Sequence, residues 1–435
     1  MMSLVSVSRC AIAATVAASY LAAVAADYDP IAGYTPVSDV VPHSLLDLDV
    51  EEMEVGADLQ TVAGFTAAWT AYSEGGNSEK TDEIRTIRGF SLDAQEKLSG
   101  ERWYDVYEAF WGAPDYADEF TAGACNGTGD WAGASVEMRA EGCIKGAQYQ
   151  NIWMYVIHEL EDAIADCNIG DLNANDGGPH AWDEGWAFYA GSTEGTDGSG
   201  EGFMLHQLAT KRCENFATCT ADGDGSDISG TSQVNADMLA LYQEGQVNLL
   251  NGDCGGAEAI KDKIVDLMTV PILQGMLRYF YLADPAGGNG GDKEFGELWS
   301  FAAAVLPRIH ECDPDIAVTV RANTDITSSD APMSEGYQFL KEKVESVYSC
   351  MGISCSQVGG LVIADSTTYY DGFEPCSDSD SGVSKVLVGV LVGVGVAAVA
   401  VCLGCFLRRR SKNKKSIEAM ESDLNGFGAN KASTL

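Results

Sequence analysis

Residues 155–162 read Tyr-Val-Ile-His-Glu-Leu-Glu-Asp. On a helix, Tyr155, His158 and Asp162 fall at i, i+3 and i+7 and project from one face. Downstream, a second segment presents His180, Asp183 and Glu184, with His180 and Glu184 at i, i+4. Phenolate, imidazole and carboxylate are the hard or borderline donors that ferric iron accepts, whereas thiolates suit softer ions. Two helices joined by the Gly/Asp-rich loop at 171–178 would gather both sets around one ion, as carboxylate/His sites in helical bundles do. The competing reading is an ordinary solvated polar face, since an acidic chain has many. Three of the five histidines, His158, His180 and His206, fall in this stretch. His206, on a mixed face, reads as structural, as does His310 beside Cys312; His43, in the lead-in segment, carries little information.

Other chemistries fit less well. His158-Glu-Leu-Glu-Asp162 begins like a zincin HExxH, but Asp replaces the second His. Asp171-Leu-Asn-Ala-Asn175-Asp-Gly starts like an EF-hand loop, yet position six is Asp176 and position twelve Trp182. The loop at 222–227 fails for similar reasons. Glu-x-x-Glu pairs occur at Glu51/Glu54, Glu294/Glu297 and Glu342/Glu345, which chance explains in this composition. There is no Ser nucleophile elbow, phosphate-cradling glycine loop or redox CxxC.

The elements that must position these donors read as helices. Residues 137–167 give the strongest pattern, with Ile152, Trp153, Val156, Ile157, Leu160, Ala163 and Ile164 in one apolar stripe. Pro179 opens the next helix, to Gly191; its Trp182, Trp186 and Tyr189 form a stripe expected in the core. Further helices are expected at 45–72 (broken near Val55-Gly56), 97–111, 202–215, 235–250, 257–281, 294–310 and 337–348. Few segments alternate at period two. The fold class is all-α, a disulfide-stapled helical ectodomain. An echo of an aromatic helix, a glycine-rich loop and an acidic-aromatic segment in both halves raises a division into two pseudo-equivalent bundles.

Composition sets the setting. The chain carries 65 acidic and 26 basic residues, a net charge of -39. Such a surface repels nucleic-acid phosphates and favours cations. Residues 386–407 are uncharged and apolar, and RRRSKNKK follows at 408–415. At ~1.5 Å per residue that run crosses a ~30 Å bilayer, with the basic flank kept inside the cell. Residues 1–26 read as a secretory signal peptide. The expected organisation is a signal peptide at 1–26, an ectodomain at 27–359, a Ser/Thr/Asp/Gly-rich stalk at 360–385, one transmembrane helix at 386–407 and a tail at 408–435. The span holds a small-xxx-small pattern at Gly389 and Gly393, and Cys402 and Cys405 sit where palmitoylation occurs. Ten of the 13 cysteines lie in the ectodomain and stalk, an even count that implies five disulfides outside the cell. Cys213/Cys219 and Cys350/Cys355 are close enough to pair locally. Asn126-Gly-Thr128 is a glycosylation sequon.

The central stretch, IHELEDAIADC, a Gly/Asp loop, PHAWDEGWAFYAGSTEG and LHQLATKRCENF, resembles the low-iron-inducible periplasmic iron-assimilation family of algae. With the C-terminal span, it is similar to the diatom iron-starvation-induced phytotransferrins. The resemblance implies a non-enzymatic cell-surface binder of ferric iron. Carbonate would be its synergistic anion, uptake would be endocytic, and a ferric reductase or endocytic machinery would be its partners. Carbonate would need a positive anchor such as Arg139, Lys145, Lys211 or Arg212, or a helix N-terminus. Two other classes stay open: an adhesion or signalling ectodomain whose acids only solvate it, and a divergent metallopeptidase or peroxidase-like enzyme depending on Glu159.

Overall fold

The computed structural model describes residues 28–377, apart from positions 82, 220–227, 289 and 365. The signal peptide, the transmembrane span, the tail and the loop at 222–227 all lie outside the described residues. Among the described residues no helix is long and apolar enough to cross a membrane.

The chain runs α1 (Val41–Ser44), α2 (Leu46–Ala57), α3 (Val62–Glu74), a two-residue hairpin of β1 (Glu79–Lys80) and β2 (Glu83–Ile84), α4 (Ile87–Leu92), α5 (Ala94–Lys97), α6 (Arg102–Trp111) and α7 (Tyr116–Asn126). A 3₁₀ turn (Gly129–Trp131) leads to α8 (Val136–Gly146), a π-helical turn (Ala147–Ile152) and α9 (Trp153–Ile169). Then come α10 (Gly178–Ala190), α11 (Leu205–Phe216), α12 (Gln233–Leu250), α13 (Cys254–Ala283), α14 (Asp292–Cys312), α15 (Pro314–Thr324), α16 (Tyr337–Glu345) and α17 (Cys355–Val358). Of the described residues 63% are helical and 3% strand, so the all-α expectation holds. The two strands are antiparallel, Glu79 opposite Ile84.

The apolar stripe of α9 is buried throughout, from Ile152 to Ile164. It packs along α10, whose Trp182 and Trp186 are fully buried. Their indoles donate to the Tyr242 and Ile31 carbonyls at 2.9 and 2.7 Å, so aromatic burial costs no unpaired N–H there. Two glycines set the α9–α10 geometry. Gly170 ends α9 with φ 85°, a left-handed cap that other residues adopt at a cost. Gly178 opens α10 so close to α9 that a Cβ would stand 2.7 Å from the Ala163 carbonyl oxygen. Cys167 near the end of α9 is bonded to Cys254 at the start of α13, closing the layer beneath.

Several expectations need correction. The segment 137–167 is helical throughout, as expected, but a π turn at 147–152 interrupts the α-helical pattern and shifts its phase. The described residues belong to a single compact unit, not two bundles. The five disulfides are Cys125–Cys143, Cys167–Cys254, Cys213–Cys219, Cys312–Cys350 and Cys355–Cys376. Cys350 and Cys355 therefore do not pair with each other; each reaches back or forward to brace a different helix end. Residues 360–377, read as stalk, begin as part of the body. Leu361 and Phe373 are buried, and the Val362 amide donates to the Asn215 carbonyl at 2.8 Å. The apolar side chains in that Ser/Asp-rich stretch find core to occupy.

The tight α9–α10 start generates a test. Gly178→Ala should destabilise the protein by about 1–3 kcal/mol, the usual penalty for overpacking. Chemical denaturation of the full-length chain would measure it; an unchanged midpoint would show that the two helices are not in fixed contact there.

Candidate metal centre

α10 carries His180 and Glu184 one turn apart, and their side chains meet: His180 Nε2 stands 2.9 Å from Glu184 Oε1. A third group joins from far away in sequence. His43, on the single turn of α1, places its Nε2 2.9 Å from the same oxygen. The two imidazole rings lie edge to face, centroids 5.8 Å apart. Among the described residues, this trio is the group of His, Cys, Asp and Glu whose ligand atoms all lie within 4.8 Å of one another. All three side chains are half-buried, and neither imidazole Nδ1 has a hydrogen-bond partner. Two nitrogens and a carboxylate converging on one point form a donor set that first-row transition metals take.

The trio sits in a cleft of about 550 Å³ that Tyr155, His158, Glu159 and Asp162 also line. Tyr155 is held flat against Phe90, ring centroids 3.6 Å apart. Burial and the charges of Glu159 and Glu184 push its phenol far up, so it carries its proton unless a cation displaces it. Glu159 is buried, and burial, then the Glu184 charge, raise it well above the ordinary carboxylate range. It hydrogen-bonds to Glu184. Burial would raise Glu184 too, but hydrogen bonds to His180 and His43 outweigh it and hold the group well below its usual value. His43 is lowered by burial and stays neutral, the form that binds metal. For His180 burial opposes the charge, yet the Glu184 carboxylate wins and the group is raised. Arg85 also lines the cleft; its Nη1 donates to Ser78 Oγ at 2.8 Å. Among the described residues it has no carboxylate within ion-pair distance, while Lys80 and Lys97 at the rim pair with Glu83 and Asp93.

The six residues read as ligands from the sequence thus separate. His180 and Glu184 converge. Tyr155, His158 and Asp162 line the same cleft, but His158 Nδ1 is engaged by Glu101 Oε1 at 2.6 Å. Asp183 faces the other way, because one residue along a helix turns the side chain by about 100°. Its carboxylate, fully buried, accepts from Tyr34 Oη at 2.5 Å, the Val37 and Ser38 amides, Ser38 Oγ and Gln246. Those five donors leave it nothing to give a metal. Its work is to staple the lead-in segment onto α10, which brings His43 to the cleft. His43 itself was missed, because no local pattern ties one helical turn to a distant helix.

The named carbonate anchors lie elsewhere. Arg139 donates to the Ala124 and Cys125 carbonyls at 3.0 and 2.7 Å and caps the end of α7. Arg212 is buried beside Asn215 in a separate pocket. Lys145 lies between Glu141 and Glu297 in that same pocket, which Lys211 also lines. His206 is buried, its Nδ1 3.2 Å from the buried Glu194 Oε2 and out of line for a hydrogen bond.

A family model for the low iron-inducible periplasmic protein, Fea1, matches residues 6–371. The chain belongs to the Fea1 family. No curated protein and no solved structure matches it. Membership makes this a protein of low-iron response and iron assimilation.

The geometry separates two kinds of substitution. Replacing His43 and His180 together with Ala should weaken metal binding beyond the roughly 10–100-fold typical of an outer contact, with little loss of stability. Asp183→Ala should instead cost about 3 kcal/mol or more of stability, since several charge-assisted hydrogen bonds vanish at once, and should weaken metal binding only through the displaced His43. Paired calorimetric titration and denaturation would distinguish them.

Proposed function

We propose that this Fea1-family protein is a non-enzymatic cell-surface receptor that captures ferric iron in the cleft between α1, α9 and α10. The convergence of His43 and His180 on Glu184 carries this reading. Tyr155 supplies a phenol within the same cleft, and an incoming trivalent cation would displace its proton. Asp162, Asp166 and Asp176 line the approach and draw cations in. Carbonate, as synergistic anion, would complete the coordination. Arg85, which lines the cleft and among the described residues has no carboxylate within ion-pair distance, is the group to hold it. The apolar run at 386–407 would anchor the receptor to the plasma membrane, with endocytosis carrying the loaded form inward and a reductase taking up the released iron.

Acid would drive release, because metal and proton compete for the same atoms. The signs follow from the trio. His180 is raised above its ordinary 6.5, so its ion pair with Glu184 stabilises the metal-free protein below that pH and is lost as pH rises through the folded value. Glu184 is depressed below its ordinary 4.5, so its contribution is present above that pH and is lost as pH falls through the folded value. Between the two, the His180–Glu184 ion pair closes the metal-free site, with His43 hydrogen-bonded to the same carboxylate. Iron affinity should accordingly fall as pH drops from about 7.5 to about 5.5.

Titration of the purified full-length chain with a ferric chelate, with and without bicarbonate, tests the reading. Bicarbonate removal and Arg85→Ala should weaken binding alike. Tyr155→Phe should remove a visible phenolate-to-iron charge-transfer band. Iron affinity insensitive both to pH and to the His43/His180 double substitution would sink the proposal. Absence of any iron heat would return the molecule to an adhesion or signalling role.

A further inference from the structure

A second pocket gathers bases in a chain that has few. It encloses about 200 Å³ between α2, α8, the π turn, residues 202–204, α11 and α14, and shares no lining residue with the cation cleft. Four of the chain's 26 basic residues line it: Lys145, Lys211, Arg212 and Lys293. Four acids line it as well, Glu54, Asp58, Glu141 and Glu297, but only half of these charges meet. Lys145 pairs with Glu141 and, at 3.3 Å, with Glu297, while Lys293 stands 3.4 Å from Glu141. Lys211 and Arg212, neighbours on α11, remain. Among the described residues neither has a carboxylate within ion-pair distance.

Arg212 decides what the pocket suits. The residue is 8% exposed. Its Nη1 donates to Asn215 Oδ1 at 2.7 Å, a neutral acceptor that leaves the charge standing. The guanidinium lies 5.5 Å from the Phe301 ring and 6.0 Å from that of Tyr279, an aromatic floor that carries no countercharge. Arg278 adds a like charge nearby; Glu297 offers the opposite sign, but from beyond ion-pair distance and already shared with Lys145. A buried cation is costly unless it is paired, and a guanidinium is a planar fork that matches a carboxylate. The chain has 65 acids, yet the carboxylate that this fork fits comes from outside it. Glu54 and Asp58, at i, i+4 on α2 and just past its end, restrict the anion further. Half-buried and exposed respectively, they repel multiply charged anions and accept from an ammonium.

We propose that this pocket binds a small monocarboxylate, its two oxygens on the Arg212 guanidinium with the Lys211 ammonium beside them. Two sources share that chemistry. One is a simple organic acid of the size of acetate or lactate. The other is a small amino acid, whose ammonium Glu54 and Asp58 would accept. The enclosed volume admits either and excludes larger acids.

Calorimetric titration of the full-length chain at constant ionic strength tests this, with acetate, lactate, glycine and alanine as ligands and phosphate and bicarbonate as controls. Acetate and lactate binding at least as tightly as the amino acids assigns the site to organic acids. Amino acids binding more tightly, with the advantage lost in a Glu54→Gln/Asp58→Asn double variant, assigns it to them. In either case Arg212→Met should weaken binding at least about tenfold and Lys211→Met about threefold. Lys211 is exposed, so its variant keeps the test available if Arg212→Met fails to fold. The His43/His180 double substitution should leave carboxylate binding unchanged, and Arg212→Met should leave iron binding unchanged, so either reading can fail without the other. No saturable binding of any of the four carboxylates overturns the proposal. So does phosphate or bicarbonate binding as tightly as they do, or carboxylate binding indifferent to both α11 substitutions.

Discussion

A buried carboxylate holds the metal cleft together without touching it. Asp183 gathers donors from Tyr34, Val37, Ser38 and Gln246, tying the N-terminal lead-in and α12 to α10. At the far end of α10, Asp47 accepts from Ser192 Oγ and from the Thr193 amide and hydroxyl at 2.7–2.8 Å. The segment between these two clamps contains α1 and His43. It is pinned on both sides, so the imidazole meets His180 at a fixed place. Removing a charge from such a centre costs more than its own hydrogen bonds, because the donors left behind are buried too. The geometry of the cleft thus rests on an acid that sequence chemistry would assign to the metal.

The electrostatics of the cleft extend this division of labour. A row of acids so close together could not all ionise. Burial first, and then the Glu184 charge beside it, raise Glu159 well above the ordinary carboxylate range. Glu184 in turn holds two imidazoles in register. At the centre of the cleft stands Glu184, depressed by its hydrogen bonds to the two histidines, with Glu159, raised by burial, behind it. That arrangement is ready for a cation and tolerates the cation's absence, since the histidines remain as partners.

The helical fold was readable because its signals are local. The α9 stripe, Pro179 at the start of α10 and the Gly/Asp loops all act within a few residues. His180 and Glu184 were legible for the same reason, being one turn apart. Asp183 misled because its residue type is right for a metal, while its direction depends on a partner segment far away. His43 was invisible for the mirror-image reason, a ligand delivered by a tertiary clamp. The π turn was equally hidden, since its sequence, Ala-Gln-Tyr-Gln-Asn-Ile, contains neither proline nor glycine. Short helices such as α7 and α15 escaped because their apolar faces are too brief to show a period; the local pair Cys213–Cys219 was legible from its spacing, while the other disulfide partners depend on where helix ends arrive.

The π turn deserves to be followed one step further. A wider coil inserts a fraction of a turn between α8 and α9, working as a vernier between two surfaces of the molecule. Upstream of it, α8 addresses the pocket of Lys145 and Glu297; downstream, α9 addresses the cation cleft. Deleting one residue there would rotate everything beyond by about 100°, swinging Tyr155 and Glu159 out of alignment while leaving composition almost untouched. Length in this six-residue stretch is therefore under tighter constraint than the identity of its residues, and variation among its kin should show as substitutions, not gaps.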